Sequence, residues 1–103
     1  MGYRSRFDII ADMLNVASRG AKKTQIMYQA NLSYRLLQKY LAEVKRSSLV
    51  IYERKERCYM LTPKGREFLK EYKEYSKRAF YVEKHLGHFR LEEKALEKLC
   101  SER

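Results

Sequence analysis

The sequence predicts a mostly α-helical chain with one small β-hairpin and a long last helix. Three observations carry this expectation. Apolar residues recur at helical spacing through the first half of the chain. Two short β-prone runs then flank a charged tip. Beyond Pro63 the apolar positions step by four and three without another proline. The 103 residues suffice for one small core and are too few for two ordinary domains.

The first helix spans about Arg4 to Ser18. Phe7, Ile10, Ala11, Leu14 and Ala17 make one apolar face, and Gly20 is placed to end it. Ile9, Met13 and Val16 form a second apolar strip on roughly the opposite side. A helix apolar on both sides is usually covered on both, so an additional neighbour is expected. A short second helix runs from about Lys23 to Ala30 and stops at Asn31. Ser33 caps a third, which continues to about Arg46. Two helices separated by "ANLS" fit a helix-turn-helix unit.

The third helix has an unusual division. On a wheel started at Ser33, Leu36, Tyr40, Val44, Leu37 and Leu41 fall in one apolar arc. Gln38, Ala42, Arg35, Arg46 and Lys39 occupy the opposite arc, which holds no carboxylate, and Glu43 stands at its flank. One side reads as core and the other as a cationic surface.

"SLVIYERKERCYML" gives two strands, Leu49–Tyr52 and Cys58–Leu61, around the tip Glu53–Arg57. Without Gly or Asn at the tip, a loop of about four residues is expected in place of a two-residue turn. "LTPKGREF" restarts a helix, with Thr62 as cap and Pro63 as the first helical residue. From there Phe68, Tyr72, Tyr75, Ala79, Val82, Leu86, Phe89, Glu93, Leu96 and Cys100 form a heptad seam with one acidic member. An antiparallel pair of such helices crossing near Gly87 sets Glu83 beside Arg90 and His85 beside Glu92, whereas a parallel pair opposes Glu93 to itself. The expectation is therefore an antiparallel homodimer.

Charge separates the same two regions. The formal net charge is +10. Residues 1–66 carry 14 Lys and Arg against 5 acids, and residues 67–103 carry 9 against 8. Nearly all the excess lies in the first two-thirds, which an anionic partner explains most simply. No apolar run approaches the roughly 20 residues of a membrane span. The beginning "MGYRSRFDII" lacks a signal-peptide layout, so an intracellular, cytoplasmic protein without a membrane is expected. Cys58 and Cys100 stand in no metal or redox spacing.

The order helix, helix, helix, hairpin, helix is that of a winged helix. "RFDIIADML", "KTQIMYQANLSYRLLQKYL" and "LVIYERKERCYMLTPKGREFL" resemble the small archaeal winged-helix DNA-binding proteins that dimerise through a long C-terminal antiparallel coiled coil. The resemblance implies a winged-helix DNA-binding domain over residues 1–66 and a long dimerising coiled-coil helix over 67–103. Gly65 of "LTPKG" would permit close packing of the last helix on the hairpin. Family members are described as predicted transcriptional regulators or chromatin-type proteins.

Double-stranded DNA is accordingly the expected partner, with self-association as the second. Arg35 and Gln38 are candidates for base edges in a major groove, and Lys39 and Arg46 for phosphates. Ser33 and Tyr34 lie at the end of the third helix that enters the groove. Lys22, Lys23 and Thr24 open the second helix, where a phosphate is favoured. Arg54, Lys55 and Arg57 on the hairpin would follow the backbone or probe the minor groove. Arg4 and Arg6 are weaker phosphate candidates. The expected dimer contacts are Tyr72, Tyr75, Ala79, Val82, Leu86, Phe89 and Leu96.

Other chemistry is not expected. His85, His88 and Glu92 at helical spacing fit a coiled-coil surface better than a metal site, because no second ligand cluster converges on them. No nucleophile elbow, phosphate-binding glycine loop or paired carboxylates occur, so neither an enzyme nor a cofactor is expected. Exposed aromatic residues for base stacking are not evident, which disfavours RNA. A regulator is favoured over an architectural DNA coater. The rival from another class is a winged-helix module that binds an acidic protein in transcription machinery.

Overall fold

The computed structural model describes residues 4–79 and 86–101, with side chains over 4–78 and 93–101. The elements are α1 (Arg6–Ala17), α2 (Lys23–Gln29), α3 (Tyr34–Arg46), β1 (Val50–Glu53), β2 (Cys58–Leu61), α4 (Pro63–Ala79) and α5 (Leu86–Cys100).

Local chemistry sets most boundaries. Ser5 and Asp8 form a reciprocal capping box at the start of α1. That helix ends before Gly20, whose φ of 83° suits glycine. Asn31, at φ 55°, stops α2. The Ser33 hydroxyl accepts the Leu36 N–H at 3.2 Å and caps α3. Thr62 Oγ1 accepts the Gly65 N–H at 3.0 Å, and Pro63 opens α4 as expected.

β1 and β2 pair antiparallel, with Tyr52 opposite Tyr59 and Glu53 opposite Cys58. Residues 54–57 make the four-residue tip. It closes without glycine because Arg57 adopts φ 56° and the Glu53 carboxylate accepts the Glu56 N–H at 2.9 Å. Ala21 exchanges two backbone hydrogen bonds with Tyr59, at 3.0 and 2.7 Å, and fastens the chain before α2 to the free edge of β2.

The core gathers both apolar strips of α1, with Ile9, Ile10, Met13 and Leu14 buried, together with Ile26, Leu37, Val44, Leu49 and Phe68. Phe7 meets Phe68 and Tyr75 edge-on, at 6.3 and 5.9 Å between centroids, and so joins α1 to α4. The double-faced α1 has its neighbours: it packs on α2, α3, β2 and α4.

The expected long C-terminal coiled-coil helix does not exist. In its place stand α4, of 17 residues, and α5, of 15, packed against each other. They run antiparallel, since Lys64 at the start of α4 donates to the Ser101 carbonyl oxygen just beyond α5, at 3.3 Å. Phe68, Tyr75, Leu96 and Cys100, read as one seam for a partner helix, lie buried in one intramolecular core. Arg6 holds Glu97 of α5 at 2.9 Å, and the Ser47 hydroxyl donates to the Cys100 carbonyl oxygen. Folding back within a chain obtains this burial without the roughly 4–15 kcal/mol that association costs in lost translational and rotational freedom.

Of the expected dimer contacts, Leu96 and Tyr75 are therefore committed to the core, and Tyr72 is half-buried and hydrogen-bonded to Asp8. Val82 lies outside the described residues, as do the side chains of Ala79, Leu86 and Phe89. The same holds for His85 and for the side chains of His88 and Glu92. Among the described residues, no helix is long and apolar enough to cross a membrane.

Candidate nucleic-acid interface

α3 is held so that its cationic arc faces outward. Leu37, Tyr40, Leu41 and Val44 enter the core, while Arg35, Gln38, Lys39, Ala42 and Arg46 are exposed. Leu36 was expected in the apolar arc but is 36% exposed, so the buried stripe is narrower than the wheel suggests. Glu43 is withdrawn from the cationic side because Arg6 grips it, with Nε at 3.0 Å from its carboxylate. That hydrogen bond raises the Arg6 pKa further above its ordinary value. Among the described residues, Arg35 and Gln38 have no hydrogen-bond or ion-pair partner, which leaves their donors available.

Arg4 and Arg6 are not available to phosphates. Arg4 pairs with Asp12 at 2.8 Å and donates to the Ala30 and Asn31 carbonyl oxygens at 2.7 Å each, pinning the end of α2 to α1. Arg6 bridges α3 and α5 through Glu43 and Glu97.

A cleft of about 410 Å³ opens between the start of α2, the last turns of α3 and the hairpin. Its walls are Lys22, Lys23, Thr24, Lys45, Tyr52, Arg57 and Tyr59. Four of these are cations and none is a carboxylate. Tyr59 is buried and forms the floor, with Lys45 Nζ 5.8 Å from its ring centroid. Tyr52 leans on it at 5.0 Å between centroids with the planes at 60°. Lys23 Nζ also sits 5.4 Å from the Tyr34 ring, so the cleft continues onto the exposed N-terminal end of α3.

The structure thus brings together Lys22, Lys23, Thr24, Arg57 and Tyr34 from the expected set. Ser33 acts as the cap of α3. Arg35, Gln38, Lys39 and Arg46 line the exposed arc of α3, and Arg54 and Lys55 stay on the exposed hairpin tip, outside the cleft walls. Lys45, Tyr52 and Tyr59 were missed. Lys45 was legible, being seven residues after Gln38 and so two turns along the same face. The tyrosine pair follows from the hairpin register once a four-residue tip is accepted. Three tyrosines are also more exposed than the sequence suggested: Tyr28 at 76%, Tyr34 at 58% and Tyr52 at 47%.

A family model described as winged helix-turn-helix matches residues 3–80. The chain belongs to the winged helix-turn-helix family. Membership points to DNA binding, and it accounts for the order of α1 to α4 with the hairpin between α3 and α4 as the wing. The match ends at residue 80, so α5 lies outside the winged helix-turn-helix region matched. No curated protein matches the chain.

Proposed function

We propose that this winged helix is a transcriptional regulator that binds double-stranded DNA and places α3 in a major groove. The observation that carries the reading is the cation-lined cleft without a carboxylate, continuous with the exposed Arg35–Gln38–Lys39 arc through the Lys23–Tyr34 contact. With α3 in the groove, Arg35 and Gln38 meet base edges while the cleft and the wing tip hold a flanking phosphate strand. Such a protein works inside the cell, at the nucleoid.

Self-association is a separate part of the proposal. Helix-turn-helix readers commonly act in pairs on two half-sites. Sedimentation equilibrium with and without DNA tests it, and a monomer under both conditions removes the homodimer while leaving DNA binding intact.

The decisive experiment is a titration of labelled duplexes, of random and genomic sequence, at several salt concentrations. The affinity should fall with salt at a log–log slope near −0.9 for each phosphate neutralised. Selection among genomic fragments supports a regulator, and uniform binding supports a DNA coater. Failure to bind any duplex, with capture by an acidic protein instead, would replace this reading with that of an interaction module.

A further inference from the structure

We propose that the cleft between α2, α3 and the wing receives an unpaired nucleotide of DNA, its base stacked on Tyr52 and its phosphates among Lys22, Lys23, Lys45 and Arg57. The proposal rests on the DNA-binding reading and adds which form of DNA the surface prefers.

The cations alone require only a phosphate strand, and any duplex supplies one. The rings ask for more. A base paired within a duplex offers its edge in the groove and keeps its faces covered by its neighbours. Only an unpaired base presents a face to an aromatic side chain. Tyr52 stands in the cleft wall with about half its surface exposed, flanked across the hairpin by the buried Tyr59 ring at 5.0 Å between centroids. Tyr34 supplies a second exposed ring at the cleft's edge, with Lys23 against it. Exposed aromatic surface bordered by cations is the arrangement that single-strand binding grooves use. The cleft volume, about 410 Å³, lies within the roughly 300–1,000 Å³ of ordinary small-ligand sites. Four cations converge there without a carboxylate to neutralise them, so an anion entering with the base relieves their mutual repulsion.

The test uses the full chain and fluorescence anisotropy at one salt concentration. It compares a mixed-sequence duplex with the same duplex carrying a short central run of mismatches. The mismatched DNA should bind more tightly by about 5- to 150-fold, the range spanned by one base–aromatic stack. Tyr52→Ala should bring the ratio of mismatched to duplex affinity, measured on that same variant, down to about one. Tyr52→Phe should keep the preference, because the ring remains. Equal affinity of wild type for the two DNAs overturns the inference and leaves duplex binding standing. Binding to neither overturns both readings. Loss of the preference in Tyr52→Phe shows that the hydroxyl on a phosphate, not stacking, was responsible, and this too overturns the inference. So does tighter binding of single-stranded RNA than of the mismatched DNA.

Discussion

The hydroxyl of Ser47 donates to the backbone carbonyl oxygen of Cys100, joining the C-cap of α3 to the last residue of α5 across 53 positions of sequence. Ser47 is buried, and its bond satisfies one of the carbonyls that a helix end leaves unpaired. α3 is thereby tied to the element lying outside the matched family region.

Replacing Ser47 by alanine should strand that carbonyl and lower stability by about 1–3 kcal/mol. Chemical denaturation followed by circular dichroism measures the loss. Amide exchange should accelerate in α5 more than in α1. Uniform protection in both helices, at unchanged stability, would show that the bond holds nothing.

Leu96→Ala probes the seating of α5 directly. Leu96 is fully buried, so its truncation should cost about 2–5 kcal/mol. A thiol readout accompanies it. Burial pushes the Cys100 thiol up to about 11, leaving it protonated and shielded at neutral pH, whereas Cys58 is partly exposed. Alkylation of the wild type should modify Cys58 first. In the Leu96 variant Cys100 should react markedly faster. Equal rates at the two cysteines in wild type would mean that α5 is not docked in solution.

Gly65→Ala reverses an ordinary expectation. Exchanging glycine for alanine inside a helix typically favours the helix by about 1 kcal/mol. Here a Cβ would meet the Leu49 carbonyl oxygen at 2.3 Å and Leu61 Cδ1 at 2.5 Å. Overpacking of that kind costs about 1–3 kcal/mol, so the melting temperature should fall. A rise would refute the close contact between α4 and the wing.

Asp8 gives the acid limb of stability its shape. Burial opposes its charge, but hydrogen bonds from Tyr72 and from the Ser5 backbone and hydroxyl overcome this and hold the carboxyl below its usual range. A depressed folded-state pKa contributes stability that is fully present above the unfolded value, near 4. That contribution is lost as pH falls through the lower folded value. Asp8→Asn should therefore be less stable than wild type at neutral pH, with the gap closing below about pH 4. Thermal melts across pH 2–7 measure it, and a gap constant over that range would exclude the linkage.

On the DNA side, the Arg35→Ala/Lys39→Ala double variant should weaken duplex binding and leave the melting temperature nearly unchanged, since both residues are exposed on α3. Gln38→Ala should instead reduce discrimination between sequences, by about 1–3 kcal/mol for a bidentate contact to adenine. Isothermal titration with matched and scrambled duplexes separates the two effects. Wild-type affinity in the double variant would sink the role assigned to α3.

Sequence by itself determined the local elements, because their causes are local. Ser33 caps α3, Gly20 and Asn31 stop the first two helices, and Thr62 with Pro63 starts α4 through interactions spanning a few residues. The carboxylate-free arc of α3 was equally legible, since helical geometry alone separates Arg35, Gln38 and Lys39 from Leu37, Leu41 and Val44. Tertiary structure alone decided what the apolar faces meet. The spacing from Phe68 to Cys100 marks which side chains seek burial, but the same period serves a partner's helix or the chain's own core. Arg6, Ser47 and Lys64, remote in sequence, fix α5 to the domain. The cleft has the same origin: Lys22, Lys45 and Tyr52 come from three elements, and only packing sets them around one space, because periodicity orders residues along an element and cannot specify distances between elements.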